Sequence, residues 1–169
     1  MPFGNPGGGG GGGGGAVTFT METALDAVAA FTITLASLAN GAARQSDMIA
    51  NASERRAALV QLKIRSGGTA PTAGAIYEVF LLQGNGSGYR TDGAGASDAA
   101  ITIENAPLLG TIVVTATTNK DFYGNFDTAP LGPLGTEWGI AVRNSSGQAL
   151  NATEGNHTKQ YQTYADKTA

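Results

Sequence analysis

The stretch Leu59-Val-Gln-Leu-Lys-Ile-Arg65 decides the fold class, because its side chains alternate between apolar and polar. One face would carry Val60, Leu62 and Ile64, and the other would carry Gln61, Lys63 and Arg65. Successive side chains of a β-strand point to opposite faces of the sheet. The alternation therefore predicts a strand with one face in the core and one face in water.

Short segments of the same kind recur on both sides of this strand. Residues 75–83 are apolar on both faces, which is typical of a central strand that is covered on both sides. Further strands are predicted at about 31–35, 101–103, 108–117, 122–126, 138–142 and 156–164, with turn residues between them. The one helix candidate is Asn51–Ala58, where Ser53 could act as the cap. About eight short strands with almost no helix predict an all-β protein, a single β-sandwich of the jelly-roll type.

The N-terminal segment has a different composition, with nine consecutive glycines at positions 7–15. Glycine loses the most backbone entropy on ordering and has no side chain to bury. We therefore expect residues 1–30 to form an extended Gly-rich arm, ending in a short helix or strand within 16–30, and residues 31–169 to form the β-sandwich domain. A phosphate-binding P-loop is excluded, because no Lys-Ser or Lys-Thr pair follows the glycines.

Composition limits the classes of function. The chain has 169 residues, of which 14% are charged, against about 25% in a typical globular protein. The surface must therefore be largely neutral and polar, which suits permanent contact with other subunits. The net charge is −3, whereas a nucleic-acid binder is expected to carry a basic patch. The absence of cysteine excludes disulfides, thiolate catalysis and Cys-ligated metal. We expect neither a signal peptide nor a membrane span.

Few residues could carry catalysis. His157 is the single histidine, and no nucleophile-elbow motif accompanies it. The carboxylates that could serve as a glycosidase pair are Glu78, Asp121, Asp127 and Glu137. Glu78 lies inside an apolar strand, where a carboxylate paired with an arginine is the expected arrangement. The sequence therefore predicts no enzyme and no catalytic, cofactor or metal site.

The segment 84–98 is the longest predicted loop, well above the usual length of about 4–6 residues. Long loops on compact domains tend to be functional or mobile. Tyr89, Arg90 and Asp92 are therefore candidates for an exposed ligand-binding loop. A calcium site using Asp92 and Asp98 is a weaker alternative, since the loop lacks the ligand spacing of an EF-hand. Aromatic side chains that could stack on sugars are Tyr89, Phe122, Tyr123, Phe126, Trp138, Tyr161 and Tyr164, with Trp138 expected in the core.

Five segments, taken in order, resemble a group of small virion proteins of tailed phages, cyanophages among them. They are Ile33-Thr-Leu-Ala-Ser-Leu-Ala-Asn-Gly-Ala-Ala-Arg-Gln-Ser46, Leu59-Val-Gln-Leu-Lys-Ile-Arg-Ser-Gly-Gly68, Pro71-Thr-Ala-Gly-Ala-Ile-Tyr-Glu-Val-Phe-Leu81, Leu108-Leu-Gly-Thr-Ile-Val-Val114 and Trp138-Gly-Ile-Ala-Val-Arg-Asn-Ser-Ser-Gly-Gln-Ala-Leu150. The resemblance implies a capsid cement (decoration) protein, with a jelly-roll-like domain on the outside of the head and an arm that grips the capsid. Such proteins stabilise the shell against internal DNA pressure, often as dimers or trimers.

The expected partners are therefore the major capsid protein and copies of the chain itself, with no nucleic acid and no membrane. The protein would be made in the host cytoplasm and reside on the outer capsid surface of the virion. Candidate capsid contacts in the arm are Gly7, Gly11, Gly15, Val17, Phe19 and Met21. The alternative is a tail, neck or fibre component, or a module that binds host-surface glycans through the loop 84–98. An enzyme such as a depolymerase is the least favoured hypothesis.

Overall fold

The structure, a computed structural model, describes the backbone of residues 21–168 and the side chains of residues 24–165. In this part of the chain the regular elements are eleven strands and three single-turn 3-10 helices. The strands are β1 (Met21–Leu25), β2 (Ala29–Ala30), β3 (Ala43–Gln45), β4 (Ile49–Ala50), β5 (Ala57–Arg65), β6 (Ile76–Gly84), β7 (Ala99–Ile101), β8 (Leu108–Val113), β9 (Asp121–Asp127), β10 (Glu137–Ser145) and β11 (Thr158–Thr168). The 3-10 helices are Thr91–Gly93, Ala129–Leu131 and Glu154–Asn156. The predicted all-β class is confirmed.

The strands form two antiparallel sheets that pack face to face. The first sheet has the order β1-β11-β5-β9, with β2 also on β11, and the second has the order β7-β3-β10-β6-β8, with β4 also on β10. β1 and β2 pair with successive parts of β11, so they are two halves of one interrupted strand. β3 and β4 are related in the same way along β10.

If each interrupted strand is counted once, the two sheets contain eight main strands and the short β7. Their order, β1/2-β11-β5-β9 against β3/4-β10-β6-β8, is that of a jelly roll, with two Greek keys folded over one core. The predicted jelly roll of about eight strands is therefore confirmed. The structure has eleven strands rather than eight because two strands have bulge-like interruptions and because β7 is added at the outer edge of β3.

The main core lies between the two sheets and is centred on aromatic side chains. Trp138 is fully buried, as predicted, and the ring of Phe31 meets it edge-on with centroids 5.5 Å apart. Tyr161 of β11 closes the cluster, with its ring centroid 4.7 Å from that of Phe31 and 5.1 Å from that of Trp138. The inward residues Val60, Leu62 and Ile64 of β5 are buried, so the alternation that predicted this strand is confirmed.

A second, smaller apolar cluster lies on the outer face of the sheet that contains β6. Phe80 and Leu82 of β6 and Ala141 of β10 form it together with Ala94 and Ala106, which come from the chain between β6 and β8. That connection therefore covers the outer face of the sheet. The prediction that residues 75–83 are covered on both sides is confirmed by this second cluster.

The helix predicted at Asn51–Ala58 is wrong. The side chain of Asn51 accepts a hydrogen bond from the N–H of Arg55 at 2.8 Å and donates one to the carbonyl oxygen of Arg55 at 2.9 Å. An asparagine side chain that binds nearby backbone groups competes with helix formation. The segment is consequently a turn, and Ala57 and Ala58 already belong to β5.

The strand predicted at about 31–35 is wrong, although the alternation of buried and exposed side chains there is real. Phe31, Ile33 and Leu35 are buried in the main core, but the segment is extended without being part of a regular ladder. Side chains take up two of its backbone N–H groups: Asp98 binds Thr34 and Glu154 binds Leu35. Further towards the N-terminus, residues 21–25 and 29–30 are strands rather than a helix.

Candidate functional site

The first half of the loop 84–98 is fixed by a bidentate ion pair. Arg90 donates hydrogen bonds from Nε and Nη2 to the two carboxylate oxygens of Glu137, at 2.8 and 3.1 Å. Asp92 accepts hydrogen bonds from the backbone N–H groups of Asn105, at 2.6 Å, and Ala106, at 2.9 Å. Of the three predicted ligand residues, Arg90 and Asp92 thus hold the loop in place, and Tyr89 extends from it with 67% of its surface exposed.

The second half of the loop is fixed by Asp98 and Gln45. The carboxylate of Asp98 binds Arg44 and accepts hydrogen bonds from the N–H and the hydroxyl of Thr34, at 3.1 and 2.6 Å. Burial alone would raise the pKa of Asp98, but the hydrogen bonds from Arg44 and Thr34 outweigh it and hold the pKa below the usual value. The side-chain amide of Gln45 donates to the carbonyl oxygens of Gly95 and Ser97, each at 2.8 Å.

These bonds bear on the calcium alternative. The carboxylates of Asp92 and Asp98 are engaged with separate backbone and side-chain donors rather than aimed at a common point. Within residues 21–168, no group of three or more His, Cys, Asp or Glu side chains is placed to hold a metal ion. None of the helices in that same range has the length and hydropathy that spanning a membrane requires.

Tyr89 borders an open depression of about 610 Å³ at one end of the sandwich, which Arg55, Arg56, Gln83 and Pro133 also line. The polar groups of this depression are largely engaged. Arg55 donates to Asp26 at 2.7 Å, and the side chain of Gln83 donates to the carbonyl oxygen of Pro133 at 2.6 Å. The depression therefore offers Tyr89 few free polar neighbours for a ligand.

The four carboxylates considered for glycoside hydrolysis lie at separate places, and each has a partner. Glu78 is paired with Arg143 at 2.5 Å, as predicted, and also accepts a hydrogen bond from the hydroxyl of Ser145 at 2.6 Å. The bond from Arg143 lowers the pKa of Glu78 despite its burial. The remaining pairs are Glu137 with Arg90, Asp121 with Arg65 at 3.6 Å, and Asp127 with the hydroxyl of Tyr164 at 2.6 Å. Because its pKa is lowered, Glu78 is poorly suited to be a general acid.

His157 is buried among backbone groups. Its Nδ1 accepts a hydrogen bond from the N–H of Arg65 at 3.3 Å, and its Nε2 lies 3.1 Å from the carbonyl oxygen of Asn151, to which it donates. Burial lowers the pKa of His157 below its usual value, and this arrangement suits the neutral ring. The side chain therefore joins β5 to the turn before β11 and serves a structural purpose.

The edges of the two sheets differ in how they are protected. β7 is short, and β9 carries Asp121 and Asp127. β8 is six residues long, pairs with β6 on one side, and pairs with no described strand on the other. Residues 105–119, which contain β8, include no charged side chain, and Leu108 and Val113 are 48% and 62% exposed. β8 is therefore a bare apolar edge, a feature that the sequence pattern alone had not distinguished from an ordinary strand.

β1 lies at the opposite side of the sandwich from β8. It is the first described element, and it pairs over its whole length with the C-terminal part of β11. Of the arm residues predicted to contact a capsid, Met21 is the first residue of this strand. Gly7, Gly11, Gly15, Val17 and Phe19 lie outside the described residues.

No protein-family model matches the chain, and comparison with curated proteins finds no match either.

Proposed function

We propose that this protein is a structural, non-catalytic component of a phage virion, a cement protein that binds the outside of the capsid and bridges neighbouring subunits. The observation that carries the proposal is the position of two features on opposite sides of the jelly roll. A bare edge strand, β8, lies on one side, and β1, which the Gly-rich segment precedes in the sequence, lies on the other. The resemblance of the sequence to small tailed-phage virion proteins supports the same function.

An unprotected edge strand is a liability in a free monomer. Its N–H and C=O groups can pair with another chain, and soluble proteins usually blunt such edges with charges, short strands or a covering element. β8 carries no charged side chain and pairs with no further described strand, and its protection is limited to Pro107 just before it and to a bulge at Leu109 in its pairing with β6. An edge of this kind is expected where another subunit covers it in the working assembly.

Two attachment points on opposite sides allow one molecule to bridge two shell subunits. Many copies that each make modest contacts at both points add a large stabilisation to the shell, because the second contact of each copy forms at high effective concentration. Glycine suits the first attachment, since a chain without side chains can pass through narrow gaps between subunits. The neutral surface that the composition predicts also suits close packing between subunits.

The test is decoration of purified, undecorated capsids of the parent phage, measured by sedimentation. The double variant L108K/V113K places charges on β8 without touching the core, because both side chains are largely exposed. A second variant lacks residues 1–20, and Y89K serves as the matched control because it adds a lysine at another exposed site, on the loop. We expect L108K/V113K and the chain lacking residues 1–20 to lose most of their capsid binding, and we expect Y89K to bind capsids normally.

Normal decoration by L108K/V113K and by the chain lacking residues 1–20 would overturn the proposal. Size-exclusion chromatography of the free chain identifies the partner of β8. If L108K/V113K converts a soluble oligomer into a monomer, β8 contacts a second copy. If the unaltered chain is already a monomer, β8 contacts the major capsid protein.

A further inference from the structure

The outer face of the sheet β1-β11-β5-β9 carries an open groove of about 430 Å³ that is separate from both proposed attachment points. Its side-chain lining consists of four uncharged polar residues, one tyrosine and one lysine, namely Gln61, Asn125, Thr158, Gln160, Tyr123 and Lys63. The volume falls in the range of about 300–1,000 Å³ that small-ligand sites occupy. The groove is built on three regular strands, which makes its geometry more rigid than that of a loop.

Strand register places these side chains in two parallel rows. Asn125 of β9 is opposite Gln61 of β5, and Gln61 is opposite Gln160 of β11, so three amides cross the sheet side by side. In the next row Tyr123 is opposite Lys63, and Lys63 is opposite Thr158. With neighbouring strands about 4.8 Å apart, each row extends about 10 Å across the sheet.

The amides of this row are free, unlike most other amide side chains of the molecule. Gln45, Gln83, Asn51 and Asn144 all hydrogen-bond backbone groups. Gln61, Asn125 and Gln160 form no side-chain hydrogen bond within residues 24–165. Each free amide offers both donors and an acceptor in a fixed plane. A row of three therefore presents unpaired donors and acceptors side by side on the outer face of the sheet.

Tyr123 supplies a flat apolar surface next to that row. Its side chain is 72% exposed, the highest value among the large hydrophobic residues described, and its ring contacts no other aromatic ring in the described part of the chain. An exposed aromatic face on an edge strand is a platform on which a ligand ring with an apolar face can stack. Lys63 is the single charged residue among those that line the groove.

We propose that this groove binds a neutral saccharide. A sugar ring combines an apolar face of C–H groups, which would stack on Tyr123, with hydroxyl groups at its edge, which would bond to the amides of Asn125, Gln61 and Gln160. An apolar peptide would cover these amides without pairing them, and each unpaired buried polar group costs free energy. An anionic ligand would meet one cation only. The extent of the amide row suits a short oligosaccharide rather than a single ring.

This inference does not depend on the cement function, because the groove lies on a sheet face and the proposed attachments lie at two sheet edges. A virion protein with such a groove could attach the particle to surface polysaccharide while its edges hold the shell. The matched control is built into the molecule: Tyr89 is nearly as exposed as Tyr123 but lies beside polar groups that are already engaged.

The experiment uses the full chain on an array of neutral oligosaccharides, followed by calorimetric titration with soluble hexasaccharides of glucose, mannose and N-acetylglucosamine. We expect binding by the unaltered chain, about tenfold weaker binding for Y123A and for Q61A/Q160A, and unchanged binding for Y89A. Tyr123 and Tyr89 are exposed, and Gln61 and Gln160 are half-buried on the outer face of the sheet rather than in the core, so each variant should keep the fold, which thermal unfolding verifies.

Three results would overturn the inference. They are the absence of binding to every neutral glycan, binding that Y123A leaves unchanged, and an equal loss for Y89A. The last of these would transfer the site to the loop 84–98. None of the three bears on capsid decoration, so this proposal and the cement proposal can fail independently.

Discussion

At the scale of single residues, His157 gives the clearest link between burial and a measurable property. The ring is held as a neutral group, with Nδ1 accepting from Arg65 and Nε2 donating to Asn151. Protonation would place a hydrogen on Nδ1 opposite the N–H of Arg65, in a site where the side chain is buried. The charged groups near the ring oppose one another, since Glu154 raises the pKa while Lys159 and Lys63 lower it, and burial is the largest influence.

We expect folding stability to fall as the pH is lowered below about 6.5, the pKa of histidine in an unfolded chain. The unfolded chain takes up a proton there, whereas His157 in the folded protein stays neutral until its own lower pKa is reached. Urea unfolding between about pH 7 and pH 5 measures this loss. The variant H157Q should show a flatter profile in the same interval, because Glu78, Asp98 and Glu154 have lowered pKa values and titrate below it. Parallel profiles for the two proteins would contradict the assignment.

At the scale of elements, the loop 84–98 is two anchored parts rather than one mobile segment. Arg90 ties the first part to Glu137 of β10, and Asp98 ties the second part to Arg44 of β3 and to Thr34. These anchors share no residue. The loss of one anchor should therefore increase local opening in its own half of the loop and not in the other half.

The variant D98A tests this separation. It leaves Arg44 and the N–H of Thr34 without their acceptor, which should cost about 1–3 kcal/mol of stability. Hydrogen exchange should accelerate at residues 94–101 and stay unchanged at 84–90, where Arg90 still binds Glu137. S87A is the control, since the hydroxyl of Ser87 makes no hydrogen bond within the described residues. Equal acceleration throughout 84–101 would show that the loop opens as one unit.

These elements also show what a sequence can and cannot predict. The alternation at 59–65 identifies β5 because the face of each side chain is a local property of a strand. The roles of Arg90 and Asp92 depend on Glu137 and on the backbone near Asn105, and no local pattern encodes those distant partners. The helix predicted at 51–58 is wrong for a local reason, because the side chain of Asn51 binds the backbone of Arg55. The groove amides are adjacent solely through the register of three strands far apart in the chain.

At the scale of the whole molecule, the jelly roll explains why the amide row and the bare edge can coexist without interfering. Each sheet has one face in the shared core, and the connection that contributes Ala94 and Ala106 covers the outer face of the second sheet. Within the described residues, the outer face of the first sheet is free for the proposed saccharide, and the outermost strand β8 is free for the proposed contact with a neighbouring subunit. The fold would thereby separate the proposed assembly contacts from the proposed saccharide site.

The boundary between arm and domain can be tested by truncation. Residues 21–30 pair with β11, and the carboxylate of Asp26 binds Arg55 at 2.7 Å and the hydroxyl of Thr163 at 2.6 Å. We expect the chain 21–169 to unfold at the same temperature as the full protein, and the chain 31–169 to unfold several degrees lower, because it exposes the edge of β11. D26A in the full chain should lower the unfolding temperature by a smaller amount. An unchanged unfolding temperature for 31–169 would instead place the domain boundary at residue 31. Because 21–169 should keep the fold while losing the glycine run, its capsid binding reports on the arm alone, free of any effect of misfolding.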